Sequence, residues 1–254
     1  MLAGWYVISL RPSGAHGGVR RAAAALGAAT FALSTLRLRA LPADAARARA
    51  LACPWAIATS PAAVRFAFAA PVPPRPRAQR WFAPGPGTAA ALRRRGIAAI
   101  DVPTAGHDSQ QLLALPALGE VRGRDIGLLT APGGRDLLAP TLAQRGANVV
   151  RADVYRRESR PPSPARLAAL AALPRRSALL VSSAEAFAVL WEALDERGRA
   201  ALRRRPAVAA SARLAALLAR HDFARVAVAA SAGPVAMLAA LARQHAGRKG
   251  DPLR

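Results

Sequence analysis

Short apolar runs alternate with segments of helical period along this whole chain, and that alternation leaves few folds open to it. The runs are Trp5–Leu10, Ala28–Leu36, Trp55–Ala58, Arg80–Ala83, Ile97–Asp101, Ile126–Leu129, Ala147–Arg156, Ala178–Val181, Ala207–Ala210 and Val226–Ala229. Between them, Leu137, Leu138, Thr141 and Leu142 share one helical face, as do Leu214, Leu217 and Leu218, and again Met237, Leu238 and Leu241. Gly27, Gly96 and Gly146 stand where a helix must stop before the next strand, the position at which a left-handed residue ends a helix. Strand–helix alternation calls for parallel sheets covered on both faces. With this many strands in 254 residues, two sheets of five suit the chain better than one doubly wound sheet.

The pattern also repeats. Val7-Ile8-Ser9-Leu10, a Gly-containing loop, a helix and Gly27 match Ile126-Gly127-Leu128-Leu129, Gly133-Gly134, a helix and Gly146. Thr59-Ser60 after one strand matches Ser182-Ser183 after another, and Ala83 to Leu92 matches Ala209 to Leu218. Three distinct features in one order point to an internal duplication, although Ala-rich α/β chains also self-match. Pro71-Val72-Pro73-Pro74-Arg75-Pro76-Arg77 reads as an exposed loop. The segment from Arg156 to Pro164 has the composition of a linker, with a helix starting at Ser163.

A net charge of +23 suggests a polyanionic partner, but its origin weakens the suggestion. Lys249 is the one lysine among 37 basic residues, and Arg with Ala is the pairing a GC-rich coding sequence yields. The excess is spread evenly over both halves, which argues against a basic nucleic-acid-binding arm. Two Tyr and six Phe, without an aromatic run, give little to stack on bases. Cys53 is the only cysteine, so no internal disulfide is expected, and His16, His107, His221 and His245 are too scattered for a metal site. The first ten residues carry no basic start, and no stretch approaches the roughly 20 apolar residues of a membrane span. A cytoplasmic protein is expected.

No nucleophile elbow or Walker loop occurs. Gly85-Pro86-Gly87-Thr88-Ala89-Ala90 fits a loose dinucleotide-binding pattern, a weak signal when its repeat partner from Ser211 to Ala216 has no glycine. What remains is a set of turns from strand end to helix start: Arg11-Pro12-Ser13-Gly14, Thr59-Ser60-Pro61, Gly85 to Thr88, Gly133-Gly134-Arg135, Ser182-Ser183 and Ser211. Such residues commonly serve only as helix N-caps. Together they would line the C-terminal edges of sheets with free N–H groups and positive helix ends, a surface suited to several carboxylates or phosphates. Arg11, Thr59, Ser60, Gly85, Thr88, Gly134, Ser183 and Ser211 are the candidate ligand contacts.

Over nearly its whole length the chain resembles the uroporphyrinogen-III synthase family. The similar pieces, in order, are Leu10-Arg11-Pro12, Ala58 to Val64, Gly85 to Leu92, Gly106 to Leu113, Gly133 to Leu138, Gln144 to Ala147, Val154 to Arg157, and Ser182-Ser183. The chain departs from the family pattern at Ser109-Gln110, where an acidic residue often follows the serine, and at Ser211 to Leu214, where Gly-Pro-Thr-like residues are frequent.

The resemblance implies an α/β protein of two flavodoxin-like domains, each a parallel sheet with helices on both faces. One would combine about residues 1–36 with 160–254, the other would span about 40–153, and 37–39 with 154–159 would form a two-stranded linker. The duplication agrees with this if the first unit of each repeat is exchanged between domains. The implied activity is that of a cofactor-free lyase of heme-type tetrapyrrole synthesis. It would cyclise hydroxymethylbilane to uroporphyrinogen III with loss of water and inversion of ring D, in a cleft walled by helix N-termini. The protein would act as a monomer, free of metal, nucleic acid and membrane, with at most transient contact with the enzyme that makes its substrate. Tyr155, one of two tyrosines, stands where a strand-like run meets the linker, and a phenol is protonated at neutral pH and can donate to a leaving hydroxide. The alternative for Tyr155 is a packing role in the linker. The alternative for the chain is a non-catalytic two-lobed module that binds an anionic ligand or RNA.

Overall fold

The computed structural model describes residues 1–104, 106, 108–133 and 136–246. The first half of the chain runs β1 (Tyr6–Ser9), α1 (Gly17–Ala24), β2 (Ala29–Ala32), β3 (Leu36–Ala40), α2 (Ala45–Ala52), β4 (Trp55–Ala58), α3 (Pro61–Ala67), β5 (Arg80–Phe82), α4 (Pro86–Arg93), β6 (Ile100–Asp101), α5 (Ser109–Leu113) and α6 (Pro116–Gly119). The second runs β7 (Asp125–Thr130), α7 (Leu138–Gln144), β8 (Asn148–Asp153), β9 (Tyr155–Ser159), α8 (Pro164–Ala171), β10 (Ser177–Val181), α9 (Ala184–Ala193), α10 (Glu196–Arg203), β11 (Ala207–Ala209), α11 (Ala212–Ala219), β12 (Val226–Val228) and α12 (Pro234–Ala246).

These strands form two parallel five-stranded sheets, ordered β12-β11-β10-β1-β2 and β6-β5-β4-β7-β8, with β3 and β9 making a separate two-stranded sheet. The two orders are one order, with corresponding strands six apart in chain sequence. Each sheet therefore takes its last two strands from one repeat and its other three from the other. The chain divides accordingly into one unit of Met1–Leu38 with Glu158–Arg254 and a second of Arg39–Arg157.

Both faces of each sheet are buried, because side chains alternate along a strand and helices lie on either side. In the first unit Ile8, Leu179, Val181, Ala207 and Ala209 pack against α8 to α11, through Leu170, Phe187, Leu190, Leu202, Leu214 and Leu218. Their strand neighbours Val7, Ala178, Leu180 and Val208 face Val19 and Ala23 of α1 and Met237, Leu238 and Leu241 of α12. In the second unit Ile57, Phe82, Ile126 and Leu128 meet α5, α6 and α7 at Leu112, Leu113, Leu118, Leu138 and Leu142. Gly27, Gly96 and Gly146 all adopt positive φ, the conformation that stops a helix.

Two predicted strands are each broken in two. The run Ala28–Leu36 leaves its sheet after Ala32 and resumes as β3, and Ala147–Arg156 breaks at Val154 before β9. At the first break the buried Thr35 hydroxyl donates to the Ala186 carbonyl at 2.7 Å, which fixes the backbone out of the ladder. At the second, Val154 N–H still bonds Thr130 while its carbonyl accepts from Leu41, so one residue closes the sheet and opens the linker ribbon.

Candidate functional site

The C-terminal edge of the second unit's sheet carries the densest polar arrangement. Strand β4 ends at Ala58, and Thr59 stays tied to β7: its N–H donates to the Leu129 carbonyl at 3.1 Å, and its hydroxyl lies 3.2 Å from that of Thr130. Ser60 follows in extended conformation and caps α3, its Oγ accepting from the Ala63 N–H at 3.0 Å. Pro61 then occupies the first turn, where its missing N–H costs nothing. The next strand ends in the same way: Gly85 caps α4 and Pro86 opens it. A β-carbon on Gly87 would sit 3.8 Å from the Pro61 ring, so the starts of α3 and α4 adjoin. Two helix N-termini side by side concentrate unpaired N–H groups and positive potential.

Tyr155 belongs to this edge. Its hydroxyl is 3.3 Å from Ser60 Oγ, its ring stacks on Phe66 of α3 at 5.3 Å, and its side chain is buried. The Arg157 guanidinium lies over the Tyr155 ring at 5.9 Å and donates to the carbonyls of Pro132 and Gly133, at 3.1 and 3.2 Å. Thr59, Ser60, Gly85 and Tyr155 are thus brought into one neighbourhood. Thr88 is there too, but buried inside the first turn of α4, its N–H donating to the Gly85 carbonyl at 3.1 Å. Gly134 lies outside the described residues.

The equivalent edge of the first unit is built on the same plan. Ser183 caps α9 by accepting from Ala186 N–H at 3.2 Å, and Ser211 caps α11 by accepting from Leu214 N–H at 3.4 Å. The Arg11 guanidinium donates to the Ala232 carbonyl, which ties the β1–α1 turn to the turn before α12. Burial lowers the Arg11 pKa from its ordinary value.

Pattern reading passed over His16, dismissed as one of four scattered histidines. It precedes α1 without capping it. Its buried ring instead bridges Ser9 Oγ (3.0 Å from Nδ1) and Ser34 Oγ (2.8 Å from Nε2). Burial first, then the charges of Arg20 and Arg11, lower its pKa, so the neutral ring is favoured, with one nitrogen donating and the other accepting. Its place at a strand-to-helix turn was the available signal. Among the described residues no cluster of three or more His, Cys, Asp or Glu side chains could hold a metal ion. Nor is any described helix long and apolar enough to cross a membrane.

Comparison with known proteins gives these edges a context. Two solved structures share the fold: a mutant uroporphyrinogen III synthase from the extremely thermophilic bacterium Thermus thermophilus (TM-score 0.57, 23% identity, 96% of this chain and 99% of that one), and uroporphyrinogen-III synthetase from Helicobacter pylori 26695 (TM-score 0.63, 14% identity, 95% and 99%). Among curated proteins, uroporphyrinogen-III synthase of Proteus mirabilis is 38% identical over 77 residues, 30% of this chain and 39% of that protein. The same enzyme of Salmonella typhimurium is 40% identical over 82 residues, 32% of this chain and 33% of that protein. The matched segments thus span two fifths or less of these curated relatives. The family model described as Uroporphyrinogen-III synthase HemD matches residues 19–239, a range that takes in strands of both sheets and both sets of capped helix starts. The chain belongs to the uroporphyrinogen-III synthase family.

Proposed function

We propose that this protein cyclises hydroxymethylbilane to uroporphyrinogen III, acting as a monomeric cytoplasmic lyase without a cofactor. The observation that carries the reading, within a chain of this family, is the joined start of α3 and α4 with Tyr155 hydrogen-bonded to the cap of α3. The substrate is an octacarboxylate. Backbone N–H groups at helix starts bind carboxylates without a charged side chain, and the positive field of the whole chain draws the anion in. Thr59, Ser60, Gly85 and the first turn of α4 at Thr88 would hold substrate carboxylates on one unit. Arg11, Ser183 and Ser211 are the equivalent candidate contacts at the edge of the first unit's sheet, and Gly134 is a further candidate by sequence.

The chemistry asks little more of the protein than position and one proton. The C–O bond of the ring-A hydroxymethyl group breaks as the pyrrole nitrogen pushes electrons in, leaving an azafulvenium. Tyr155 gives its phenolic proton to the departing hydroxide, which leaves as water. The substituted carbon of ring D attacks the azafulvenium to form the spiro intermediate. The bond from that carbon to the methylene bridge of ring C then breaks, leaving an azafulvenium on ring C; the free α-carbon of ring D attacks it, closing the macrocycle with ring D inverted, and the proton this carbon loses on rearomatisation returns to the phenolate. Ser60 Oγ, 3.3 Å from the hydroxyl, orients it.

The test supplies hydroxymethylbilane generated in situ, oxidises the products and separates the porphyrin isomers. Isomer III in excess is expected; isomer I alone, the product of spontaneous closure, would overturn the proposal.

A further inference from the structure

We infer that the first unit carries a second small-molecule site, at the edge of its sheet opposite the one described above, which takes a small aromatic carboxylate. In a parallel sheet the residues that precede the strands share one edge. Here Trp5 precedes β1, Arg175 and Arg176 precede β10, and Arg225 precedes β12. Helix α12 runs back across the sheet and ends at that edge, bringing Gln244 and His245 to it. These six residues line a pocket of about 340 Å³, within the range of natural small-ligand sites and near its lower end.

Two observations together define the ligand. The lining supplies three guanidinium groups, and no acidic side chain lines it among the described residues. Guanidinium forks match carboxylate geometry and also stack on aromatic planes. The last turn of α12 opposes an anion with the negative end of its dipole, but that amounts to about half an elementary charge. Next, one wall is aromatic: Trp5 and His245 meet edge-on, with ring centroids 5.0 Å apart at 64°. An edge-on pair leaves ring faces for a third ring, at the spacing aromatic side chains prefer. The inference is independent of the proposed reaction, because none of these residues lies at the C-terminal edges.

The probes separate the two elements. Calorimetric titration would compare 2-naphthoate with 2-naphthamide, which lacks the charge, and acetate, which lacks the rings. The naphthoate should bind tightest, and the amide and acetate at least tenfold more weakly. The pair Arg175→Gln and Arg176→Gln, both on the exposed edge, should weaken the naphthoate at least tenfold and leave porphyrin isomer formation and thermal stability unchanged. Ser60→Ala, on the other unit, should leave that affinity unchanged. Failure of the intact protein to bind 2-naphthoate would overturn the inference. So would equal binding of the amide, undiminished affinity in the double variant, or loss of affinity in Ser60→Ala.

Discussion

At Gly127 a β-carbon would stand 1.9 Å from the Ala50 carbonyl oxygen, because α2 lies directly on β7. A helix backbone cannot yield as a flexible side chain does. Gly127→Ala should therefore destabilise the protein by about 3 kcal/mol, the upper end for overpacking, seen as a lower denaturant midpoint; a change within 0.5 kcal/mol would show that α2 is free to shift. Tyr155→Phe keeps the ring on Phe66 and removes only the hydroxyl. We expect a loss of about ten- to a hundredfold in kcat with an unchanged melting temperature; unchanged kcat would leave Tyr155 a packing residue. His16 makes a prediction in pH. Its folded pKa lies below the unfolded value of about 6.5, so between the two the unfolded chain binds more protons. The stability this ring contributes is complete above about pH 6.5 and declines as pH falls from there toward the folded value. His16→Gln should flatten that part of the stability–pH curve, although His221, lowered mainly by burial, keeps a remainder of the same sign. A curve of unchanged slope would mean the serine pair compensates the charged ring. Nothing in the neighbourhood of His16 announces its serines, since Ser34 lies 18 residues on and meets it only once β1 and β2 pair.

Among the elements, helix starts were legible, as were the ends that Gly27, Gly96 and Gly146 close, but other helix ends were not. Ser60, Ser183 and Ser211 follow a strand and precede an apolar-periodic segment, and each caps the helix so foretold. Ends are closed in places by arginines from far along the chain. Arg205 is buried and donates to the carbonyls of Leu170, Leu173 and Pro174 at the end of α8. Arg145 bonds Leu113 and Leu118, joining α5 to α6, and Arg47 bonds Ala67 and Pro71 beyond α3. Composition alone made the arginines look like a surface charge; these three are structural, and no local pattern separates them from the rest. Arg205→Met, which keeps the stem and deletes the donors, should cost about 1–3 kcal/mol for the stranded carbonyls. An unchanged unfolding midpoint would mean water takes over those bonds. The broken runs at Thr35 and Val154 have the same origin, for the Thr35 hydroxyl finds its acceptor 151 residues away. Periodicity carries no record of such a partner.

For the molecule as a whole, the charge is spread rather than gathered, and capture of an octa-anion should respond to salt as a field does. On the proposed reaction, the KM for hydroxymethylbilane should rise severalfold from about 20 mM to 500 mM salt, as the screening length shrinks to a few ångströms; a flat KM would place recognition in short contacts alone. The two-sheet plan was readable from strand alternation and the internal match, because parallel sheets of this kind need little beyond a repeated period. The identical strand orders, with first strands traded between repeats, bear on how the protein is made. A ribosome releases the Arg39–Arg157 unit as one uninterrupted segment, able to close its sheet as soon as β8 is free. Strands β1 and β2 emerge first yet have no neighbour but each other until β10 appears, more than a hundred residues later. At about 5–20 residues per second that is a wait of roughly 7–30 s, during which an apolar parallel pair stands without its sheet. The opening of the chain is thus the segment most in need of a chaperone's shelter during synthesis, and the middle the least.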